Sequence, residues 1–596
     1  METKYLDGEK LYHCFVSGAR EVIRNRKDLN DTNVFPVADG DTGNNLASTM
    51  NSIIIQSRVT PSAGNTMNSI ADAALTGARG NSGIIMAQYI NGIYLGIQNE
   101  DQVSMSSFAE SVTNAVPHAY HAIQTPVEGT IITVIREWAE TVYRLKDSAH
   151  DFNELLTLPL ERAYTVLKET TSMLKVLERS KVVDSGAKGF FHFVQGFTEF
   201  IRTGHISEPV ELTEELNSEA EIMDSEPSFR YCTEALIVTD SVMDLDSIRD
   251  ELGGLGDSLI VAGNPKKARI HIHSDHPELV MDKLRRRGSI IQQKADDMRR
   301  QYESSFTRRH EIALVTDSIA DLPAELLDRY QIHMIPLNIM VGESSYLDKI
   351  TMTPELFYDL AEELETYPSS AQPSPKVVES LYQTLLNHYD QILVITVASV
   401  QSGTFSVFEK AAQTMQTPGK RIVVMDSKQN SGAEGLLVLK AAELIEAGKT
   451  MDEIIPVIEA LRRKTRILVS VNTLKYMVRS GRLSKLSGLA GKVMNLKPVI
   501  SLDDTGKGMI EAKAFSTRSN THKILNIVAK ANQGEGITRY AIVHADDEPR
   551  AQDLKEKMVQ LLQREPEYIM NISTIVGMSA GQGSVAVAYL SEDHHG

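Results

Sequence analysis

Asp39 and Asp41 flank Gly40 in the segment Asn33–Asn45, which reads NVFPVADGDTGNN. Two carboxylates this close on a glycine turn repel each other unless a cation sits between them. Magnesium favours such oxygen ligands and shares its shell with substrate phosphates. Backbone N–H groups freed by a Gly-rich turn can hold phosphate oxygens. An EF-hand is rejected, because its sixth and twelfth positions counted from Asp39 are Asn44 and Met50 rather than Gly and Glu. A surface turn is the competing reading of this segment taken alone.

Three further Gly/Ser stretches shift the balance: Gly77–Gly83 (GARGNSG), Pro126–Thr130 (PVEGT) and Val183–Gly189 (VDSGAKG). The first precedes an apolar helix expected to start at Ile84, and a helix N-terminus behind such a loop attracts anions. No Walker sequence occurs in this part. A second group is Cys232 with His271 and His273. Alternate residues on a strand share a face, so the two imidazoles can point at one ion. Cys plus two His makes a zinc triplet with an open fourth position. The competing reading is a buried thiol beside two hydrogen-bonded imidazoles, and His276 is assigned to the following turn.

The elements that must carry these groups fall into blocks. Residues 1–203 read as helix, with three-and-four apolar spacing over Leu11–Ile23, Ile70–Ala78 and Leu155–Leu177. Residues 204–227 are acidic, with Pro and Ser, and read as a linker. Residues 228–310 form a small α/β unit, with strands at Glu234–Val238, Ser258–Val261 and Ala268–His273 and a helix at Met243–Leu252. The charged stretch from Gln292 to His310 is expected to carry the chain to a boundary. Residues 311–596 alternate short apolar runs with helical stretches. Ile312–Val315, Ile392–Thr396, Ile422–Met425 and Ile467–Val471 predict a parallel sheet with helices on both faces. A final strand pair is expected at Tyr540–Val543 and Val585–Leu590.

Composition bounds the class. The 596 residues are 42% hydrophobic and 23% charged, and the formal net charge is −18. Such a chain is globular, spans about three or four domains, and lacks the basic balance that nucleic acid demands. Its two cysteines, Cys14 and Cys232, make no disulfide framework and suit a reducing cytoplasm. The charged start of the chain suggests no signal peptide, and no apolar run approaches a membrane span.

The four Gly-rich motifs of residues 1–203, in their order, resemble the nucleotide-binding L subunit of dihydroxyacetone kinase and, more closely, the kinase subunit of bacterial fatty acid kinase. That resemblance implies an all-α helical barrel binding ATP through two magnesium ions. It makes Asp39 and Asp41 the magnesium ligands and catalytic centre. Asn33 lies near a further family Asp, and Thr42, Asn45, Ser82 and Gly83 would contact phosphates. Asp184 to Ala187, with Gly186, would close the nucleotide site. Through YCTEALI, SLIVAG and ARIHIHSDHP, residues 228–310 resemble that kinase subunit's middle domain, which implies zinc on Cys232, His271 and His273.

Residues 311–596 carry VTDSIADLP, PSSAQPSP, QSGTFS, VMDSKQNSG, YMVRSGRLSK and SAGQGSVAVAY, and resemble the DegV family. DegV proteins are two-lobed α/β proteins that bury a fatty acid tail, meet its carboxylate with small hydroxyls, and present it to fatty acid kinase. Ser370 stands at the Thr of the family's TSQPSP loop, Ser402 and Gly403 match its SGT loop, and Arg482 matches the Arg of its GGRI segment. Ser579 stands where the family's HxGPG has His, Gln582 replaces the Pro, and Ala371 replaces a hydroxyl residue. The expectation is a cytoplasmic, homodimeric kinase that makes acyl phosphate from a long-chain fatty acid. Two alternatives stand beside it: a lipid-binding or sensing protein, and a kinase of another small metabolite such as a dihydroxyacetone-like compound.

Overall fold

A computed structural model describes residues 3–35, 40–123, 125–206, 226–360, 367–415, 417–482, 496–534 and 536–591. Most of the expected linker, residues 207–225, and one of the two loop carboxylates, Asp39, lie outside these. The chain forms two compact units, Met1–Tyr302 and Glu303–Gly596.

The first unit is helical up to Thr203 apart from a short antiparallel pairing of Tyr5–Leu6 with Val103–Ser104, so the expected all-α region carries one two-stranded ladder. The helices that matter below are α1 (Gly8–Arg24), α2 (Thr42–Gln56), α3 (Ala63–Gly77), α4 (Gly80–Ile97), α5 (Ile131–Leu145), α6 (Phe152–Met173) and α7 (Ser185–Thr203). In α1 the three-and-four spacing buries Leu11, Cys14, Phe15, Gly18 and Val22 on one face. Asp7 caps the helix by accepting from the Lys10 amide at 2.9 Å. The stretch Leu155–Leu177 is not one helix, because α6 ends at an extended Leu174 before a short helix at Lys175–Ser180.

An antiparallel sheet follows, built from β1 (Tyr231–Val238), β2 (Asp257–Asn264), β3 (Lys267–Ser274) and β4 (Ser289–Asp297) in the order β2-β3-β1-β4. Helices α8 (Leu245–Leu252) and α9 (Pro277–Arg285) join it. The charged stretch from Gln292 onward does hold the boundary between the two units, at Tyr302–Glu303, but it is not a plain connector. It supplies most of β4 and a helix over Met298–Phe306. Its polar side chains hid a strand whose partner, β1, is itself buried. Ile260 and Ala262 of β2 join the apolar core of the helices. Gly263 on the same strand donates to Gln88 Oε1 at 2.7 Å and accepts from Asn91 Nδ2 at 3.1 Å, both on α4.

Among the described residues the second unit contains three sheets. The four-stranded one is parallel, as the apolar runs predict: β5 (Ile312–Asp317), β6 (His333–Ile335), β10 (Gln391–Thr396) and β11 (Arg421–Asp426), in the order β11-β10-β5-β6. A three-stranded antiparallel sheet holds β7 (Asn338–Val341), β8 (Ser344–Leu347) and β9 (Ser369–Ala371). The six-stranded sheet comprises β12 (Thr465–Ser470), β13 (Val499–Leu502), β14 (Gly508–Ala512), β15 (Arg539–His544), β16 (Ile569–Asn571) and β17 (Val585–Leu590).

Here the sequence expectation fails in part. The run Ile467–Val471 supplies most of β12, which pairs antiparallel with β13 and β17, so it stands outside the parallel sheet. Burial on both faces writes the same continuous apolar run for parallel and antiparallel strands. The expected last pair, β15 with β17, forms antiparallel. Helices α10 (Thr404–Met415), α11 (Ser431–Glu446) and α12 (Thr574–Ala580) flank the sheets. Among the described residues no helix is long and apolar enough to cross a membrane.

Candidate functional site

In the first unit the motif segments lie at helix starts, and those starts meet. Asp41 precedes the first residue of α2, Thr42, which is buried. Asn45, one turn on, donates from Nδ2 to Asp41 Oδ2 at 2.7 Å. The same amide packs against the first residue of α4. A β-carbon on Gly80 would collide with Asn45 Nδ2, and Gly80 adopts a left-handed φ of 54°. Helix α4 thus begins at Gly80 rather than Ile84, so Asn81, Ser82 and Gly83 form its first turn.

Ser82 packs against the start of α7. A β-carbon on Gly186 would come within 2.8 Å of Ser82 Oγ and 3.3 Å of the Ile131 side chain at the start of α5. Asp184 caps α7, with Oδ1 accepting from the Ala187 amide at 2.7 Å. Burial pushes its carboxyl up to about 7, against backbone hydrogen bonds from Ala187 and Ile131. The starts of α2, α4, α5 and α7 therefore form one cluster. Helix starts carry partial positive charge, so a cluster of them, with the Asp41 carboxylate beside it, is a place an anion could be held. Asn33 is buried and donates its backbone N–H to Asn30 O at 3.1 Å. Asn30 reaches α2, its Oδ1 accepting from the Asn44 amide at 3.1 Å.

The second cluster lies on the sheet of the same unit. Antiparallel register sets Cys232 of β1 opposite His273 of β3, and Glu234 opposite His271. One ligand atom from each of Cys232, His271 and His273 falls within 4.8 Å of the others. Cys232 Sγ lies 3.9 Å from His271 Nδ1. Zinc bonds of about 2.3 Å to sulfur and 2.0–2.1 Å to nitrogen put adjacent tetrahedral ligands about 3.6 Å apart, so this spacing needs little adjustment. Among the described residues His271 Nε2 is buried without a hydrogen-bond partner. Burial, with His271 close by, pushes His273 down to about 3, so its ring is neutral as a metal ligand must be. Donor set, spacing and protonation state fit zinc.

In the second unit a cavity enclosing ≈ 980 Å³ of empty space, its mouth included, lies between the sheets. Ile319, Leu337, Ile467, Val469, Ile500 and Val543 supply apolar wall, and Ser370, Ser402, Arg482 and Ser579 supply polar groups. Four of the five residues expected at an acyl carboxylate thus line one cavity. Arg482 Nη2 donates to Ser370 Oγ at 3.2 Å, and Ser402 Oγ lies 2.7 Å from Thr404 Oγ1. Gly403 is exposed beside them, against Gln372.

Comparison with known proteins accounts for this sequence of parts. The DAK2 domain profile matches residues 36–199. The profile of the fatty acid kinase A-like middle domain matches 228–305, and that of uncharacterised DegV family proteins matches 311–592. One chain joins a DAK2 domain, a fatty acid kinase A-like middle domain and a DegV domain.

Protein YloV of Bacillus subtilis is 31% identical over 322 residues, which cover 52% of this chain and 58% of YloV. An uncharacterised protein of Staphylococcus epidermidis is 30% identical over 350 residues, covering 54% of this chain and 63% of its own. The matches therefore span about half of this chain and under two thirds of those relatives. Among solved structures, a DegV family protein from Thermus thermophilus described as binding fatty acid is 29% identical. It covers 47% of this chain and 100% of its own, with a TM-score of 0.44. DegV of Bacillus subtilis, described as a fatty acid binding protein, is 27% identical over 48% of this chain and 100% of its own, with the same TM-score of 0.44.

Sequence reasoning passed over several residues of these sites. In the DegV domain, Gln401 and Asn430 line the cavity, and Asn430 Nδ2 donates to Gln401 Oε1 at 3.0 Å. Both stand in motifs already noted, QSGTFS and VMDSKQNSG, but long amides there read as ordinary turn residues. In the middle domain, Glu234 lies two places after Cys232 and so on the same strand face. It is buried against Arg269 Nη2 at 2.6 Å. The alternation rule that joined His271 to His273 could have found it.

Proposed function

We propose that this chain transfers the γ-phosphoryl group of ATP to the carboxylate of a long-chain fatty acid. A carboxylate oxygen forms the new bond to γ-phosphorus, the bond from that phosphorus to the β-phosphate bridging oxygen breaks, and the products are acyl phosphate and ADP. The observation that carries the reading is the convergence of four helix starts on Asp41, Asn45, Ser82 and Gly186 in the DAK2 domain.

Phosphoryl transfer asks for charge neutralisation and positioning rather than for a covalent nucleophile. Asp39 and Asp41 would hold magnesium, which neutralises charge building on the phosphates. The amides at the starts of α4 and α7 hold phosphate oxygens, and Asn45 keeps the Asp41 carboxylate in one orientation. Cys232, His271 and His273 would hold zinc, a fixed positive charge on the middle domain. In the DegV domain the apolar wall shields the tail, while Ser402, Ser579 and Arg482 orient the carboxylate. Joining both functions in one chain raises the effective concentration of acyl substrate at the kinase domain.

The test is ATP turnover by the full chain with magnesium, with and without a long-chain fatty acid. The expected result is ADP release that depends on the acid and disappears in Asp41→Ala. Turnover indifferent to both would overturn the reading.

A further inference from the structure

Glu234 touches two clusters that the sequence keeps far apart. Its Oε1 accepts from the backbone N–H of Gly80, the first residue of α4, at 3.0 Å, across 154 positions of chain. The same oxygen lies 3.5 Å from Nδ1 of His271, a member of the Cys232–His271–His273 cluster. Its other oxygen accepts from Arg269 Nη2 at 2.6 Å. The Arg269 guanidinium forms an ion pair with this buried carboxylate, so a negative charge stands beside both clusters.

The position of that charge matters. The Gly80 amide is a donor a bound phosphate would seek, and a carboxylate already sits on it. The carboxylate competes for the donor and repels the incoming anion. A second feature marks the neighbouring cluster as open to a ligand: His271 is 4% exposed, and its Nε2 has no partner among the described residues. A divalent cation held there would stand beside Glu234. It would draw the carboxylate toward itself and cancel its repulsion of phosphate. Both effects act in one direction.

The geometry points to Glu234 as a positioning residue that links metal occupancy of the Cys232–His271–His273 cluster to nucleotide affinity at the start of α4. The inference rests on the kinase reading above. Metal at the cluster tightens nucleotide binding, and by reciprocity nucleotide tightens metal binding by the same factor. The switch is where the Glu234 carboxylate points and what it faces.

The experiment is calorimetry of magnesium-ADP binding to the full chain, metal-stripped and then reloaded with zinc. Loaded wild-type protein should bind magnesium-ADP about five- to tenfold tighter than stripped protein. Cys232→Ser should behave as stripped protein at every zinc concentration. Glu234→Gln, which keeps an acceptor without the charge, should bind magnesium-ADP near the loaded level with or without zinc. A wild-type protein that binds both ligands with no mutual effect overturns the linkage alone, and so does a Glu234→Gln protein that keeps the full zinc dependence. Absence of magnesium-ADP binding under every condition overturns the kinase reading and the linkage with it. Should Glu234→Gln fail to fold around Arg269, the wild-type measurement in both directions, zinc on nucleotide and nucleotide on zinc, still decides the matter.

Discussion

Arg482 Nη2 lies 3.2 Å from Ser370 Oγ, and both side chains line the cavity of the DegV domain. The pair joins residues 112 positions apart. It gives the polar part of the cavity a cation and a hydroxyl, the groups a carboxylate head would meet. Ser402→Ala should weaken binding of a long-chain fatty acid by roughly 1.5–3 kcal/mol, the worth of a hydrogen bond to a charged group. Arg482→Ala should act in the same direction. Competition against a fluorescent fatty acid measures both, and unchanged affinity in both variants would place the carboxylate elsewhere.

Chain length offers an independent check. Ile500 contributes to the apolar wall of that cavity. Ile500→Trp fills space along that apolar wall, so it should exclude long acids before short ones. A uniform loss across chain lengths would show that this wall does not hold the tail.

Gly80 should not tolerate a side chain. At φ 54° an L-residue costs about 1–2 kcal/mol. The added carbon would also displace Asn45 from Asp41. Gly80→Ala should therefore lower the melting temperature by several degrees and weaken magnesium-ADP binding by about tenfold, one hydrogen bond's worth. A destabilised protein with unchanged nucleotide affinity would separate Asn45 from the nucleotide site.

Asp184 sets a pH dependence. Its folded carboxyl is pushed up to about 7 by burial, whereas the unfolded chain releases that proton near the usual value of about 3.9. Its contribution to stability is full below about pH 4 and is lost as pH rises through about 7. Asparagine caps helices as well as aspartate does. Asp184→Asn should gain up to about 2 to 3 kcal/mol over wild type on going from pH 5 to pH 8. Denaturant melts at the two pH values check this, and an equal difference at both would contradict it.

The pattern of these sites explains what the sequence could disclose. Gly-rich turns before helices were legible because a left-handed φ such as that of Gly80 is a local need that leaves a local signature, whereas the close approach of Gly186 to Ser82 is set by packing. The Cys232–His271–His273 face was legible because strand alternation is local as well. Glu234 was not, because its partners Gly80 and Arg269 are set by tertiary packing. The strand over Ser289–Asp297 was missed because its second half, QQKADD, is polar and charged, and the antiparallel placement of Thr465–Ser470 because a largely apolar run has no orientation written in it.

The central claim is that ATP and a fatty acid meet in one reaction, and trapping the product tests it most directly. Acyl phosphates react with hydroxylamine to give hydroxamates. Full-length protein supplied with ATP, magnesium, a long-chain fatty acid and hydroxylamine should yield one fatty hydroxamate per ADP released, and Asp41→Ala should yield none. ADP released without hydroxamate, by protein that demonstrably binds the acid, would contradict the account.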